Sequence, residues 1–178
     1  MRHVLQESNE KTVISNQYEA LSSTNRGLYK QSEYFNKEIA SSNNTGYKVL
    51  RINQIVFSPQ NLWMGNINLN SKFKVGMVSP SYKIFDVDGA VIGFIANIIK
   101  SPRMMFEYAQ ASEQGASIVR RNLDIDSFLN IKIDMPNNDE QQKIADFLAA
   151  LDDKIKLEEA KLASTTEFKK ALLQRMFV

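Results

Sequence analysis

The last quarter of the chain, residues 138–177, constrains the fold more than any other stretch. It contains neither Gly nor Pro and is rich in Ala, Leu, Lys, Glu and Gln, which are good helix formers. Pro136 ends the preceding segment, and Asn137, Asn138 or Asp139 can cap the first free N–H groups of a helix. Such a helix spans roughly 60 Å at about 1.5 Å per residue, which is longer than one small core can cover.

Apolar residues recur along this segment at alternating spacings of four and three, which predicts a coiled-coil seam. A parallel pairing of two copies would place Glu158 against Glu158 and Lys169 against Lys169, whereas an antiparallel pairing avoids both repulsions. We therefore expect an antiparallel rod with two copies of the preceding domain at its ends. The alternative is a long amphipathic helix that folds against its own domain. The predicted packing residues are Ile144, Leu148, Leu151, Ile155, Leu162, Leu172 and Met176.

The composition excludes several classes of enzyme. The chain has no Cys, and its single His3 lies near a terminus, so no Cys–His or Ser–His–Asp set can be assembled. No GxxxxGK[ST] or GxGxxG string is present. The carboxylate-x-Lys strings lie in the helical segment, where we interpret them as solvated surface residues. The sequence therefore predicts a protein with no catalysis of its own, no metal and no cofactor.

No segment has the length and apolarity of a transmembrane helix, and the first residues do not resemble a signal peptide. We therefore expect a cytoplasmic protein. Residues 1–135 hold 15 Lys and Arg against 12 Asp and Glu, while residues 136–178 hold 7 against 8. The part that precedes the helix is mildly basic, which permits DNA binding without requiring it.

Residues 1–135 predict one mixed α+β domain of short strands with a few helices, followed by the long helix as a second unit, residues 136–178. Strands are expected within residues 47–58 and 73–87, and a final strand within residues 131–136. The apolar run 90–100 predicts a buried helix, and Pro102 begins a second one. Residues 1–11 are expected to form a short helix or an unpaired lead-in.

The order of motifs resembles the specificity (S) subunits of type I restriction-modification systems. After Pro136, the strings EQQKIADFLAALDDKI and KKALLQRMF are similar to the conserved helix of these subunits. The string GMVSPSYKIF, residues 76–85, resembles a GxVSPxYxVF pattern of their target recognition domain. The strings LSSTNRGLYKQSEYFNK and GASIVRRNLDIDSFLNIKI fit the same pattern, so the resemblance covers nearly the whole chain from about Leu21.

The resemblance implies a DNA sequence-recognition subunit that reads one half of a bipartite site. S subunits usually carry two target recognition domains and two antiparallel helices, which act as a spacer and dock the modification (methyltransferase) subunits. This chain has one domain and one helix, so it is either a half-subunit that pairs with a second copy or another S half, or a fragment of a longer chain. The implied partners are double-stranded DNA, the modification subunit and, as a further candidate, the restriction subunit.

The residues that would contact DNA are expected in the polar, basic and aromatic clusters of residues 1–135. A Ser- and Asn-rich run is also the usual composition of a solvated turn, and Trp63 fits a buried position as well as an exposed one. The alternative function is a coiled-coil dimeric interaction module that does not bind DNA. The candidate DNA-binding residues are Ser22, Ser23, Thr24, Arg26, Lys30, Asn61, Trp63, Asn66, Lys72, Lys74, Gln114, Ser117, Arg120 and Arg121.

Overall fold

The computed structural model describes residues 1–35, 43–114 and 120–177. These residues form short strands and helices followed by one long helix, which confirms the predicted α+β class. The strands are β1 Leu5–Ser8, β2 Leu21–Thr24, β3 Gly27–Lys30, β4 Lys48–Arg51, β5 Ile55–Phe57, β6 Ile67–Leu69, β7 Val75–Val78, β8 Lys83–Val87, β9 Ser112–Gln114 and β10 Arg121–Leu123. The helices are α1 Gln31–Tyr34, the 3₁₀ helix Pro59–Met64, α2 Ile92–Ile98, α3 Pro102–Gln110, α4 Ile125–Asn130 and α5 Asn138–Met176.

Four antiparallel strands form the central sheet in the order β1-β8-β5-β6. Both faces of this sheet are buried, because Phe57 and Phe85 belong to one apolar cluster while Val56 and Ile84 belong to another. A strand that is covered on both faces needs apolar residues at successive positions, which explains the uninterrupted IVF string of β5. The other strands pair antiparallel as β2 with β3, β4 with β7, and β9 with β10.

The larger cluster joins the sheet to the helices through four aromatic rings. Phe57 and Phe85 stack with ring centroids 5.6 Å apart, and Phe128 of α4 lies 4.9 Å from Phe57. Tyr108 of α3 lies 5.7 Å from Phe128, and its hydroxyl donates to the Ile99 carbonyl at 3.2 Å. Aromatic pairs at these distances contribute about 0.5–1.5 kcal/mol each beyond the burial of their area. The helices α3 and α4 are thereby fixed on one face of the sheet.

The smaller cluster lies on the opposite face and holds the β2–β3 hairpin in place. Leu21 and Leu28 of the hairpin pack with Leu50 and Val56. A Cβ atom at Gly76 would overlap the Leu21 side chain, so this contact requires glycine on β7.

Two expectations about local structure are wrong. Residues 1–11 contain strand β1, whose Leu5 lies opposite Val87 of β8, and not a helix or an unpaired lead-in. Residues 131–136 form no strand: the Ile131 side chain is buried in the core, and its carbonyl accepts a hydrogen bond from the Met1 amino group. This carbonyl therefore bonds to the start of the chain and not to a neighbouring strand.

The long helix α5 has 39 residues and begins as the sequence predicts. The Asn137 side chain caps it by accepting the Glu140 N–H at 3.0 Å. Gln141 and Ala145 are its only buried described residues, and every described residue from position 149 onward is exposed. The helix therefore packs on the rest of the chain through its first turns and leaves roughly 40 Å of its length uncovered, at about 1.5 Å per residue.

Gln141 and Ala145 attach α5 to the start of α2. The Gln141 side chain accepts the Val91 N–H at 2.9 Å and donates to the Pro136 carbonyl at 2.7 Å. A Cβ atom built on Gly93 would lie 3.1 Å from the Ala145 Cβ, so the two helices approach closely at this point. None of the described helices combines the length and apolarity that a membrane crossing requires.

Candidate nucleic-acid interface

The β2–β3 hairpin is tied to β6 by a buried polar network. The Ser23 hydroxyl donates to the Asn66 side-chain oxygen at 2.8 Å, and the Asn68 amide donates to the Ser23 hydroxyl at 2.7 Å. Asn68 also donates to the Thr24 carbonyl at 2.8 Å. Buried polar groups must be hydrogen-bonded to one another in this way, because they have lost their bonds to water. Ser23 and Asn66 thus position the hairpin, and DNA contact by either side chain remains a prediction.

The tip of the hairpin presents Arg26. The Thr24 hydroxyl donates to the Gly27 carbonyl at 3.0 Å and accepts the Arg26 N–H at 3.1 Å. Gly27 has a φ of 136°, a backbone angle that favours glycine. The turn therefore holds Arg26 exposed at the end of the hairpin. Lys30, at the other end of β3, forms a solvent-exposed ion pair with Glu33 at 3.4 Å.

A cleft of about 400 Å³ opens between the hairpin and the 3₁₀ helix. None of the described residues that line this cleft carries a charge. Its lining brings together five of the predicted contact residues with aromatic and apolar neighbours that were not among them. The lining residues are Ser22, Ser23, Thr24, Asn25, Tyr34, Phe35, Asn61, Met64, Asn66 and Tyr82.

Two side chains of the cleft differ in whether they already form a hydrogen bond within the protein. The Tyr82 hydroxyl donates to the Ser23 carbonyl at 3.3 Å, and burial raises the pKa of Tyr82 despite this hydrogen bond. The Tyr82 side chain is therefore neutral and adds no charge to the cleft. The Asn61 side chain is half-buried, and its carboxamide makes no hydrogen bond within the described part of the chain. Asn61 is thus available to a ligand.

Trp63 lies on the same 3₁₀ helix and contacts a different part of the chain. The Arg121 guanidinium lies over the Trp63 ring, 4.5 Å from its centroid, and donates to the Ala109 carbonyl at 3.4 Å. The stack joins β10 to the 3₁₀ helix, and the Arg121 Nε atom is buried with no hydrogen-bond partner among the described residues. The sequence groups Arg121 with Arg120, but Arg121 is engaged inside the protein while Arg120 is exposed.

The remaining candidates lie outside the cleft. Lys72 and Lys74 are exposed in the loop after β6, where the Asn70 side chain accepts the Phe73 N–H at 2.9 Å and thereby shapes the loop. Because this loop follows the far end of β6 from Asn66, the two lysines do not join the residues around the cleft. Gln114 is exposed at the end of β9, opposite Arg121. Ser117 lies outside the described residues.

The list of candidate DNA-binding residues omits Tyr34, Phe35, Met64 and Tyr82, which also line the cleft. Asn25, a further lining residue, belongs to the polar and basic cluster that the sequence predicts within residues 22–30. Tyr34 follows this cluster and would be found by extending it along the chain. Tyr82 reaches the cleft because β8 begins beside β5, a pairing between residues far apart in sequence. No short-range pattern in the sequence reports such a pairing.

The predicted seam of α5 lies free along the described helix. Leu151 is 42% exposed, Ile155 56% and Leu162 69%, and these three residues form one apolar stripe with the stems of Lys154 and Glu158. Leu148 is half-buried where α5 meets the rest of the chain. In a single copy the stripe is therefore uncovered, which fits a coiled-coil helix without its partner.

The described residues contain no group of three or more His, Asp or Glu side chains placed to hold a metal ion.

Arg2 and Asp126 pair at 2.8 Å, as do Arg103 and Asp134, but all four side chains are solvent-exposed. Exposed pairs of this kind contribute little to stability. The features that stand out among the described residues of 1–135 are the cleft and, outside its lining, exposed cations such as Arg26 and Arg120.

Residues 94–167 match the protein-family model described as the type I restriction modification DNA specificity domain. This match begins in α2 and extends through most of α5, so it includes the junction between the two helices. No curated protein sequence matches the chain.

The fold is similar to that of three solved structures. The HsdS subunit from Thermoanaerobacter tengcongensis has a TM-score of 0.64 and 16% identity, over 98% of this chain and 46% of that one. A structure from a description of the structural basis of complex assembly and conformational transition of the type I R-M system has a TM-score of 0.63 and 18% identity. This similarity covers 97% of this chain and 46% of that one. The type I restriction-modification S subunit from M. genitalium has a TM-score of 0.56 and 14% identity, over 98% of this chain and 42% of that one. The chain thus spans less than half the length of each of these proteins.

Proposed function

We propose that this chain, which has the fold of a type I restriction-modification specificity subunit and its DNA specificity domain in residues 94–167, recognises a DNA sequence. The family match is the observation that carries the proposal, because it names DNA specificity as the role of the domain. The exposed Arg26, Arg120, Lys72 and Lys74 support it, since cations on loops are suited to bind phosphates.

The half-length of the chain leads us to propose that one copy reads one half of a bipartite site. Two copies joined antiparallel through α5 would present two identical reading domains related by a two-fold axis. A two-fold assembly reads a site whose halves are inverted repeats. The uncovered stripe of Leu151, Ile155 and Leu162 supports this pairing, as does the like-charge repulsion that a parallel pair would incur at Glu158 and Lys169.

We further propose that α5 docks the methyltransferase subunit. The family match extends over most of this helix, and one structural neighbour is described as concerning assembly of the type I complex. The stripe occupies one face of the helix, so the remaining faces are open to a second partner. In this account the chain contributes recognition and spacing, while methylation and cleavage belong to partner subunits. The isolated histidine and the absence of cysteine are consistent with a subunit that performs no catalysis.

Duplex binding at several salt concentrations tests the proposal. Fluorescence anisotropy with a pool of random duplexes should show binding, and log Kd should rise linearly with the logarithm of the salt concentration. Adding the methyltransferase subunit should tighten binding and allow one sequence to be selected from the pool. The absence of any binding at low salt, with and without that subunit, would favour the alternative of a coiled-coil interaction module that does not bind DNA.

A further inference from the structure

The cleft between the hairpin and the 3₁₀ helix has a preformed wall and unused polar groups. Ser23, Thr24 and Asn66 bond to neighbours in the protein, so the wall they form is rigid. The Asn61 carboxamide bonds to no described residue, and Asn25 is exposed at the hairpin end. The cleft therefore offers amide donors and acceptors that a ligand can use without breaking a bond within the protein.

The charge of the cleft argues against a phosphate as its ligand. None of the described lining residues is Lys or Arg, and Tyr82 is neutral. A phosphate oxygen placed here would lose its hydration without gaining a cation, which is costly. The exposed cations, such as Arg26 at the hairpin tip, lie outside the lining. The chemistry of the cleft suits an uncharged group that carries hydrogen-bond donors and acceptors.

The shape of the cleft argues against the base edges of an intact duplex. Those edges lie at the floor of a groove, so a side chain that reads them must protrude from the protein surface. A concave site of about 400 Å³ instead suits a group that projects from its own molecule. The rings of Tyr34 and Phe35 meet edge to face, with centroids 4.8 Å apart and planes at 83°, so a flat ring can stack on the face of one of them.

We infer that this cleft binds a nucleobase that is not paired in a duplex, with aromatic side chains on the base and Asn61 on its polar edge. Such a base is either an extrahelical base of bound DNA or the base of a free nucleoside. The first source rests on the proposed function, and the second does not. An extrahelical base would enter after leaving the stack, as it does in proteins that extrude nucleotides.

Titration of this chain with the four nucleosides, followed by two-dimensional amide NMR, tests the inference independently of duplex binding. Shifts are expected at residues that line the cleft at concentrations up to about 10 mM, the range of weak fragment binding. Ribose 5-phosphate should cause no shifts there. Asn61→Ala should weaken nucleoside binding at least about fivefold, the usual loss for one hydrogen bond. Gln60→Ala is the matched control, because Gln60 is exposed on the same 3₁₀ helix and does not line the cleft.

A duplex with one unpaired adenine, compared with its fully paired counterpart, separates the two sources. Tighter binding of the bulged duplex by roughly tenfold, reduced in Asn61→Ala and in Tyr34→Ala, would assign the cleft to an extrahelical base. Nucleoside shifts without preference for the bulge would assign it to free nucleosides. The absence of cleft shifts with every nucleoside, together with equal binding of both duplexes, would overturn the inference. Salt-dependent binding of paired duplexes could still be observed in that case, so the proposed function would survive.

Discussion

Arg120 and Arg121 are neighbours in sequence but have different surroundings. The Arg121 guanidinium lies over Trp63 and donates to the Ala109 carbonyl, while the Arg120 side chain is exposed. A cation over an indole ring contributes about 0.5–2 kcal/mol, depending on how far it is desolvated. Replacing both arginines together would therefore mix a structural effect with an effect on binding.

Single substitutions should separate these two effects. Arg121→Ala is expected to lower the free energy of unfolding by about 1–2 kcal/mol, measured by urea denaturation, because the stack on Trp63 is lost. Arg120→Ala should leave that free energy unchanged. It should weaken duplex binding and reduce the salt slope by about 0.9, the value for one phosphate contact. Equal stability of both variants would contradict the structural role of Arg121.

Lys48 provides a pH-dependent prediction at the residue scale. Its ammonium is nearly buried and lies 3.9 Å from Glu7, which also pairs with Lys83 at 2.7 Å. Burial lowers the pKa of Lys48, the nearby positive charges of Lys83 and Lys11 lower it further, and Glu7 opposes them. Since the folded pKa lies below the unfolded value, the charged lysine opposes folding at neutral pH, and this cost disappears as pH rises through the two pKa values.

The difference in unfolding free energy between the native chain and Lys48→Met should therefore change with pH. Stability of the native chain relative to the variant should rise as pH increases from neutral toward the ordinary lysine pKa of about 10.4. Urea denaturation of both proteins over that pH range measures this difference in unfolding free energy. A difference that stays flat, or that falls with pH, would contradict the burial of Lys48.

Which polar residues are buried and which are exposed was only partly predictable from the sequence. The polar cluster at residues 22–30 was identified, yet nothing local distinguishes the buried Ser23 from the exposed Asn25. Ser23 is buried because the hairpin packs on β6, more than 40 residues away in sequence. Contact between the predicted residues and DNA remains a prediction for every one of them.

At the scale of elements, helices were predicted better than strand partners. The cap at Asn137 and the helix start at Pro102 follow from local signals, and both are confirmed. Four of the ten described strands, β4, β5, β7 and β8, lie within the predicted segments, but their partners were not predicted, because pairings such as β1 with β8 join distant residues. The two wrong expectations, at residues 1–11 and 131–136, concern segments whose structure depends on contacts with distant parts of the chain.

The junction between α2 and α5 gives a prediction at this scale. Gln141→Ala would leave the half-buried Val91 N–H without the Gln141 acceptor, which should lower the free energy of unfolding by about 1–2 kcal/mol. Gln142→Ala is the matched control, because Gln142 is exposed and, among the described residues, its side chain bonds only to Asp146 on the same helix. Thermal unfolding of both variants provides the comparison, and equal melting temperatures would show that Gln141 does not anchor the helix.

At the scale of the whole molecule, the apolar stripe of α5 is not covered by any described part of the chain. If two copies pair antiparallel through this stripe, Leu151→Glu should convert a dimer into a monomer, because it places a charge in the seam. Leu157→Glu is the matched control, since Leu157 is also an exposed leucine of α5 but lies off the seam. Light scattering at high micromolar concentration reports the mass, and a monomeric native chain would exclude this homodimer.

The resemblance that the sequence indicated agrees with the domain match over residues 94–167 and with the similarity of the fold along nearly the whole chain. The resemblance was inferred from the order of several motifs along the chain. Any one of these motifs alone would have been modest evidence. Pairing of two copies and the division of the chain at residues 135 and 136 remain predictions. Length alone does not decide the pairing, because the partner helix is outside this chain in either assembly.

Sequencing of methylated bases in cells that carry this chain with its modification subunit tests the central claim most directly. We expect methylation at one split motif whose two halves are inverted repeats, and loss of that methylation when this chain is removed. A methylation pattern that is identical with and without the chain would show that it does not direct sequence recognition.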